Sequence, residues 1–516
     1  MFSSVYSGGL TGIEGYQIQV EADVSDGLPA FHMVGYLASE VKEAEQRVRT
    51  ALKNSGFYLD ARKVTVNLSP ANVRKEGTAY DLPVAVAILA AYGLIHAEVF
   101  RDCAFLGELG LDGRCKPVCG VLPLVIAMRD AGIRRCFLPA ANVTEGLAVD
   151  HMGIVKVENL RQLVHMLVKP ESIQEESRRN FDDIKAEISY DVDFAEINGQ
   201  GLLRRATEIA VAGQHNILYI GPPGSGKSMI ARRIPTIMPE LSKEEQLEIS
   251  KIYSICGMLP ADHALLRSRP FRAPHHTISP QALAGGGKVP KPGEISLASR
   301  GVLFLDELPE FQKGTLEILR QPLEEHRIQI SRLHGSCEFP AQFMMAAAMN
   351  PCPCGYYPNQ NLCSCNEWQI RRYLGGISRA LLDRIDVCVE AEPVSYQELQ
   401  NVQDNETSEQ IRGRVERVRE IQKMRFAGRS IYFNAQMSGN DIHEFCRLQP
   451  DDDCFLQKAF GQMHLSARGC HRVLRVARTI ADMDGSVDIH RSHLCEAISY
   501  RSLEGKYWGG SLRDGG

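Results

Sequence analysis

The sequence predicts an α/β chain in parts: an α/β front domain over residues 1–168, a linker over 169–192, a phosphate-loop αβα domain over 193–395 and a helical subdomain over 396–507. Three observations predict it. Asn216–Arg232 reads NILYIGPPGSGKSMIAR, an apolar run, a glycine-rich turn and a helix start with the spacing G-x-x-x-x-G-K-S. Two later apolar runs end in polar residues, Gly301–Leu305 in Asp306-Glu307 and Phe343–Met349 in Asn350, as buried parallel strands do in such a domain. Ahead of them short strands alternate with apolar helices, and beyond residue 396 the recognisable segments are helical.

The bulk composition narrows the class. A chain of 516 residues exceeds one hydrophobic core, and 44% hydrophobic with 23% charged residues is globular composition. The longest apolar run, Leu82–Ile95, is broken by Pro83 and Gly93 and is too short for a bilayer, so no membrane partner is expected. The start MFSSVYSGGL lacks the basic and apolar regions of an export signal. Fifteen cysteines without such a signal read as reduced thiols of a cytoplasmic protein. A net charge of −5 leaves any DNA contact to a locally basic surface, such as the lining of a ring.

In the front domain Tyr16–Ala22 alternates as a half-buried strand and Val64–Leu68 reads as a second. Val41–Asn54 carries Val41, Ala44, Val48 and Leu52 on one helical face, Pro83–Leu94 is an apolar helix, and Val121–Asp130 is helical. Phe105–Gly113 reads as a hairpin with a glycine turn, and Phe137–Pro139 as a short strand. This order resembles the proteolytic domain of the Lon family, whose fold is shared with ribosomal protein S5 domain 2. Aligning Lys75-Glu76-Gly77 with the Lon K-D-G puts Ala79 at the nucleophile, and Leu122 and Leu124 stand where the Lon lysine follows the hairpin near Gly120. A Ser–Lys dyad needs a hydroxyl and an amine. The expectation is a protease-like fold without peptidase activity.

In the second domain Gly201–Ala212 reads as an amphipathic helix leading to the Ile217 strand. Gly221, Pro222, Pro223, Gly224, Ser225 and Gly226 form the cradle whose backbone N–H groups bind phosphate oxygens of ATP. Lys227 is expected to reach the β- and γ-phosphates and Ser228 to ligate Mg²⁺. Asp306 is expected to hold the same Mg²⁺ through water, Glu307 to polarise the attacking water, and Asn350 to help position it. Cys352, Cys354, Cys363 and Cys365 form C-x-C-x8-C-x-C. They read either as a structural Zn²⁺ site or as a reduced, metal-free loop.

Loop, acidic strand and polar strand together resemble the AAA+ ATPases. The Gly/Pro-rich stretch Arg269–Ser296 cannot be regular helix and is similar to the helix-2 insert of the magnesium-chelatase/MCM branch. Arg327–Phe339 alternates around His334-Gly335 and is similar to that branch's pre-sensor hairpin. Both elements face the pore in related rings, which makes Lys288, Lys291, Arg332 and His334 the DNA-contact candidates. In Leu381–Asp386, LLDRID, the resemblance makes Arg384 a trans arginine finger; the alternative is a salt bridge to Asp383 or Asp386. Ile411–Arg429 reads as a basic helix with a solvated face. In the helix after Ser466, Arg468 matches the sensor-2 position near the γ-phosphate, with Arg472 as the fallback. The tail from Gly505 is glycine-rich and expected to be loose.

The chain resembles, end to end, the ComM/YifB family of Mg-chelatase-like AAA+ proteins, through FRAPHHT, PGEIS, GVLFLDEL, LRQPLE, NPCPCG and LLDRID. That resemblance implies a homo-oligomeric, hexameric ATPase that drives branch migration as a DNA helicase on branched or single-stranded DNA during natural transformation or recombination. The alternatives are chelatase-like or chaperone-type remodelling of a protein partner.

Overall fold

The computed structural model describes residues 1–177, 190–260, 264–287, 290–332, 335–359, 361–393, 405–463 and 466–508. The expected linker therefore lies partly outside the described residues, as do Lys288 and His334.

The chain divides into two compact units, Met1–Glu187 with Lys243–Leu266 and Ser331–Glu338, and Ile188–Ser242 with Arg267–Ile330 and Phe339–Gly516. The first unit holds β1 (Phe2–Thr11), β2 (Glu14–Ser25), β3 (Ala30–Val34), β4 (Lys63–Ser69), β5 (Cys103–Phe105), β6 (Glu108–Leu109), β7 (Cys115–Lys116), β8 (Arg135–Pro139) and β9 (Gly153–Val157). A seven-stranded sheet runs β3-β4-β2-β1-β5-β8-β9. β1 pairs antiparallel with β2 and parallel with β5, so the sheet is mixed. The expected hairpin at Phe105–Gly113 is two elements: Phe105 closes β5 in the main sheet, and β6 and β7 turn around Gly113 at φ +80°.

Helices pack against this sheet, among them Asp81–Ala91 and Val121–Asp130. The helix Asp81–Ala91 is buried nearly all round, and Pro83 sits in its first turn, where no N–H is needed. Its buried Asp81 accepts from Arg47 Nε at 2.7 Å, from Arg47 Nη2 at 2.9 Å and from the Leu109 N–H at 3.1 Å. Those bonds replace the water that the carboxylate loses. Ala79, Leu122 and Leu124, the three residues aligned with the Lon dyad, share one buried apolar cluster.

The second unit holds β10 (Ile217–Ile220), β11 (Phe271–Arg272), β12 (Gly285–Gly286), β13 (Lys291–Pro292), β14 (Val302–Leu305), β17 (Met344–Met349) and β18 (Val387–Glu390), while β15 (Arg327–Arg332) and β16 (Gly335–Pro340) are divided between the units, Ser331–Glu338 belonging to the first. Its central sheet runs β11-β14-β17-β10-β18, with every pairing parallel. β10, β14 and β17 are buried at every residue, which is why they read as unbroken apolar runs rather than alternating ones. Tyr219 tolerates burial because its hydroxyl bonds Thr207 Oγ1 at 2.8 Å. β15 and β16 form the expected hairpin, and β12 pairs antiparallel with β13.

The C-terminal helices pack on this core. The helix Ser408–Arg425 starts three residues ahead of the expected Ile411, because Thr407 and Gln410 make a capping box. The expected solvated face is one side of it, with Arg417, Glu420 and Lys423 exposed, but other basic residues are paired with the core. Arg414 pairs with Glu208 at 2.5 Å and with Glu406 at 2.6 Å, and Arg425 is held to the buried Asp482. The last helix, Arg491–Trp508, corrects the expected loose tail as far as Trp508, residues 509–516 lying outside the described residues: it runs through Gly505 because Tyr507 bonds Glu390 Oε1 at 2.8 Å and Trp508 donates to the Leu374 carbonyl at 3.2 Å.

Candidate nucleotide site

Parallel strands aim their C-terminal ends at one edge of the sheet, and the residues leaving those ends build the site. β10 runs into Gly221–Gly226, and the helix Lys227–Ile237 starts directly after. Gly224 at φ +77° and Gly226 at φ +82° make the turn possible. A methyl group built on either meets nothing within 4 Å, so the loop's concave side is open. At Gly221 the opposite holds: a methyl would stand 2.6 Å from the Ala391 carbonyl, and the strand and loop must pass close there.

Lys227 folds back over the loop. Its Nζ donates to the carbonyls of Gly221 and Pro222, each at 2.8 Å, and approaches Ser225 Oγ and Asn350 Oδ1 at 3.3 Å. Burial lowers the Lys227 ammonium to about 8, against the pull of the Asp306 carboxylate. The side chain is an internal cation facing neutral carbonyl oxygens, a setting that favours an added anion. Ser228 Oγ donates to Asp306 Oδ2 at 2.6 Å. A hydroxyl and a carboxylate at that distance are a hard-oxygen donor set, which fits Mg²⁺.

Glu307 follows Asp306 with its backbone at φ +53°. This left-handed conformation costs a residue with a Cβ roughly 1–2 kcal/mol. It turns the chain into the short helix Leu308–Glu310, while the Glu307 N–H bonds Asp306 Oδ1 at 3.0 Å. Strain of this kind marks positions where side-chain direction matters more than stability. Asn350 leaves β17 beside Lys227, so loop, acidic strand and polar strand converge as their spacing predicts.

Three residues here escaped the sequence reading. His276 Nδ1 lies 3.2 Å from Glu307 Oε2, and its ring sits 4.0 Å from that of His275. Gln200 bridges the loop to β18's end, donating to the Ser225 carbonyl at 3.2 Å and the Glu392 carbonyl at 2.6 Å. Tyr373, held protonated by burial, bonds the backbone of Asn350. The His-His pair was visible as a motif in the insert, but nothing local tied it to a carboxylate thirty residues on. The insert itself is pinned by Arg272, which bonds both oxygens of Glu294 at 2.6 and 2.7 Å.

Arg384 and Arg468 do not join this cluster. Val387 aligns with Ile217 and Glu390 with Ile220, so Arg384, just ahead of β18, is at the opposite edge of the sheet from Lys227. Four residues of strand separate the two edges, about 13 Å. There Arg384, Arg468, Arg472, Arg475, Glu324 and Asp386 line one cleft. Arg384 pairs with Glu324 and donates to the Arg320 carbonyl at 3.2 Å, not with Asp383 or Asp386. Asp383 belongs to Arg472 at 3.0 Å, and Asp386 to His215 at 3.3 Å. The fallback residue Arg472 is buried and committed to the Leu382 and Ile385 carbonyls at 3.0 and 3.1 Å. It struts the turn that carries Arg384. Arg468 is exposed at the rim.

Of the DNA-contact candidates, Lys291 is exposed on β13, and Arg332 lies on β15 with its side chain outside the described residues, as Lys288 and His334 are altogether. The four cysteines of the loop after Asn350 come together: their sulfurs all lie within 4.8 Å of one another. Among the described residues no helix is long and apolar enough to cross a membrane.

Residues 193–399 match the family described as magnesium chelatase, subunit ChlI; residues 20–142 match subunit ChlI of Mg-chelatase, and 405–501 its C-terminal part. The chain is 41% identical over 506 residues to Competence protein ComM of Haemophilus influenzae, covering 97% of each chain. It is 39% identical over 504 residues to YifB of Escherichia coli, again covering 97% of each. A stretch of 140 residues, 26% of this chain, is 29% identical to a Lon protease of Mycolicibacterium smegmatis, of which it covers 18%. With near-complete coverage at this identity, and a front domain and nucleotide domain of the expected kinds, the chain belongs to the ComM/YifB family of Mg-chelatase-like AAA+ proteins.

Proposed function

We propose that this protein is an ATP-hydrolysing motor that assembles as a homo-oligomeric ring, a hexamer on the reading that the resemblance implies, and moves branched or single-stranded DNA. The observation that carries the reading is the split of the catalytic set. Lys227, Ser228, Asp306, Glu307 and Asn350 meet at one sheet edge, and Arg384 and Arg468 stand together at the other. A complete site then needs the arginines of a neighbouring copy, and hydrolysis in one copy is felt by the next.

Bound MgATP supplies the electrophilic phosphoryl group and the charge that these residues neutralise. The loop's backbone N–H groups and Lys227 bind and orient the phosphates. Ser228 and Asp306 hold the cation. Glu307, aimed by its left-handed backbone and by His276, takes the proton of the attacking water. Asn350 fixes that water against Lys227. Arg384 of the adjacent copy stabilises charge at the phosphoryl group. Arg468 shares the cleft of Arg384, so any phosphate it contacts is likewise the neighbour's.

The exposed Lys291 beside a glycine-rich strand pair, and the likeness to a competence protein, support DNA as the polymer and strand exchange in transformation or recombination as the setting. Migration of a synthetic four-way junction, with and without ATP, tests this. Junction migration that needs ATP, with turnover stimulated by DNA, is expected. Turnover stimulated by a protein partner and indifferent to DNA would favour the remodelling alternative instead.

A further inference from the structure

We propose that Cys352, Cys354, Cys363 and Cys365 bind one Zn²⁺ ion, and that this zinc knuckle is a clamp on the phosphate loop. The first half rests on the sulfur geometry alone; the second rests also on the nucleotide reading of that loop.

The sulfurs of Cys352 and Cys354 are 3.3 Å apart, those of Cys352 and Cys363 3.7 Å, and those of Cys354 and Cys363 3.5 Å. Tetrahedral zinc thiolate, with Zn–S near 2.3 Å, needs sulfurs about 3.8 Å from one another. A disulfide needs about 2.05 Å, and all four residues are free thiols. Soft thiolates in a closed tetrahedron, with no position left for water, select Zn²⁺ over the hard cations that suit Ser228 and Asp306. The Tyr357 N–H points at Cys352 Sγ at 3.4 Å, the kind of bond that spreads thiolate charge around such a centre. Binding balances as four thiols losing four protons to one Zn²⁺.

The knuckle is attached on three sides. Asn350, two residues ahead of the buried Cys352, contacts Lys227. Gly355, inside the knuckle at φ +89°, lies on the ring of Pro223: a methyl group there would stand 2.4 Å from Pro223 Cδ. Tyr357 packs edge-on against Tyr507 of the last helix at 6.1 Å. Folding the thiols around an ion thus fixes both the strand-end amide and the second proline of the loop.

The test uses the full-length protein purified in reductant and measures bound metal by mass spectrometry and affinity for a fluorescent ATP analogue. The expected results are one zinc per chain in the wild type and in C388S, and none in the C363S/C365S pair. Removing the ion with a chelator should weaken analogue binding roughly tenfold, with restoration by added Zn²⁺. Gly355→Ala should keep its zinc and still bind the analogue less well, because the added methyl both strains the left-handed backbone there and pushes on Pro223, while the four thiols stay in place. A zinc-free wild type, even after incubation with Zn²⁺, overturns the site. Zinc at full stoichiometry with analogue affinity unchanged by chelation and by Gly355→Ala overturns the clamp. A zinc-loaded wild type that binds no nucleotide overturns the clamp through the failure of the nucleotide reading and leaves the metal site standing.

Discussion

Lys227 Nζ lies 3.3 Å from Asn350 Oδ1, a contact that joins the phosphate loop to the end of a strand more than a hundred residues away. It fixes the lateral position of the ammonium, whose other partners, two carbonyls and the Ser225 hydroxyl, belong to its own loop.

Removing either partner should therefore separate binding from turnover. Lys227→Ala deletes a cation facing phosphate, worth about 1.5–3 kcal/mol, so analogue affinity should fall ten- to a hundredfold or more. Asn350→Ala should leave affinity within a few fold and lower kcat roughly a hundredfold, as expected of a group that orients the reacting water. Equilibrium titration and steady-state turnover on the same preparations distinguish the two.

Glu307→Gln should bind the analogue as tightly as the wild type and turn over at least about a hundredfold more slowly, the usual contribution of a positioned general base. His276→Ala should weaken kcat less, since His276 only bonds Glu307 Oε2. Wild-type turnover by Glu307→Gln would end the proposed chemistry.

Arg384→Ala should keep its own nucleotide affinity, because Arg384 stands at the far edge of the sheet, and lose roughly a thousandfold in kcat. Mixing Arg384→Ala with Glu307→Gln should recover part of the activity. Some interfaces then combine an intact Glu307 with an intact Arg384. No recovery across mixing ratios would show that each copy works alone.

Asp386→Asn tests a buried pair that holds the Arg384 turn in place. Burial pushes the Asp386 carboxyl up, but the hydrogen bond and charge of His215, with Arg475 and Arg472 nearby, outweigh it and hold the group below the usual carboxylate range. A depressed folded-state value stabilises the fold above the unfolded value near 3.9 and loses that contribution as pH falls through the folded one. The variant should be less stable by roughly 1.5–3 kcal/mol at neutral pH, with the gap closing below about pH 4. Denaturation midpoints of both proteins at neutral and acid pH measure it.

What was legible in the sequence was what is local. The phosphate loop, the strands Ile217–Ile220 and Val302–Leu305 and the capped helix after Ser466 each carry their signal within a dozen residues. Ala79, Leu122 and Leu124 could be named from the sequence as the residues at the Lon dyad positions, and they share one buried cluster. Contacts between distant segments were not. Nothing near His276 announces Glu307, and a basic helix looks the same whether Arg414 meets water or Glu208. The role of Arg472 was obscured for the same reason: besides Asp383, its partners are backbone carbonyls, which any sequence supplies.

The left-handed backbone at Glu307 has an evolutionary corollary. Glycine would relax that turn and raise the melting temperature, yet it would remove the carboxylate that the turn exists to aim. Selection for heat resistance alone would drift toward an inert protein at this one codon. A library screened first for survival on heating and then for turnover should find its sharpest conflict there.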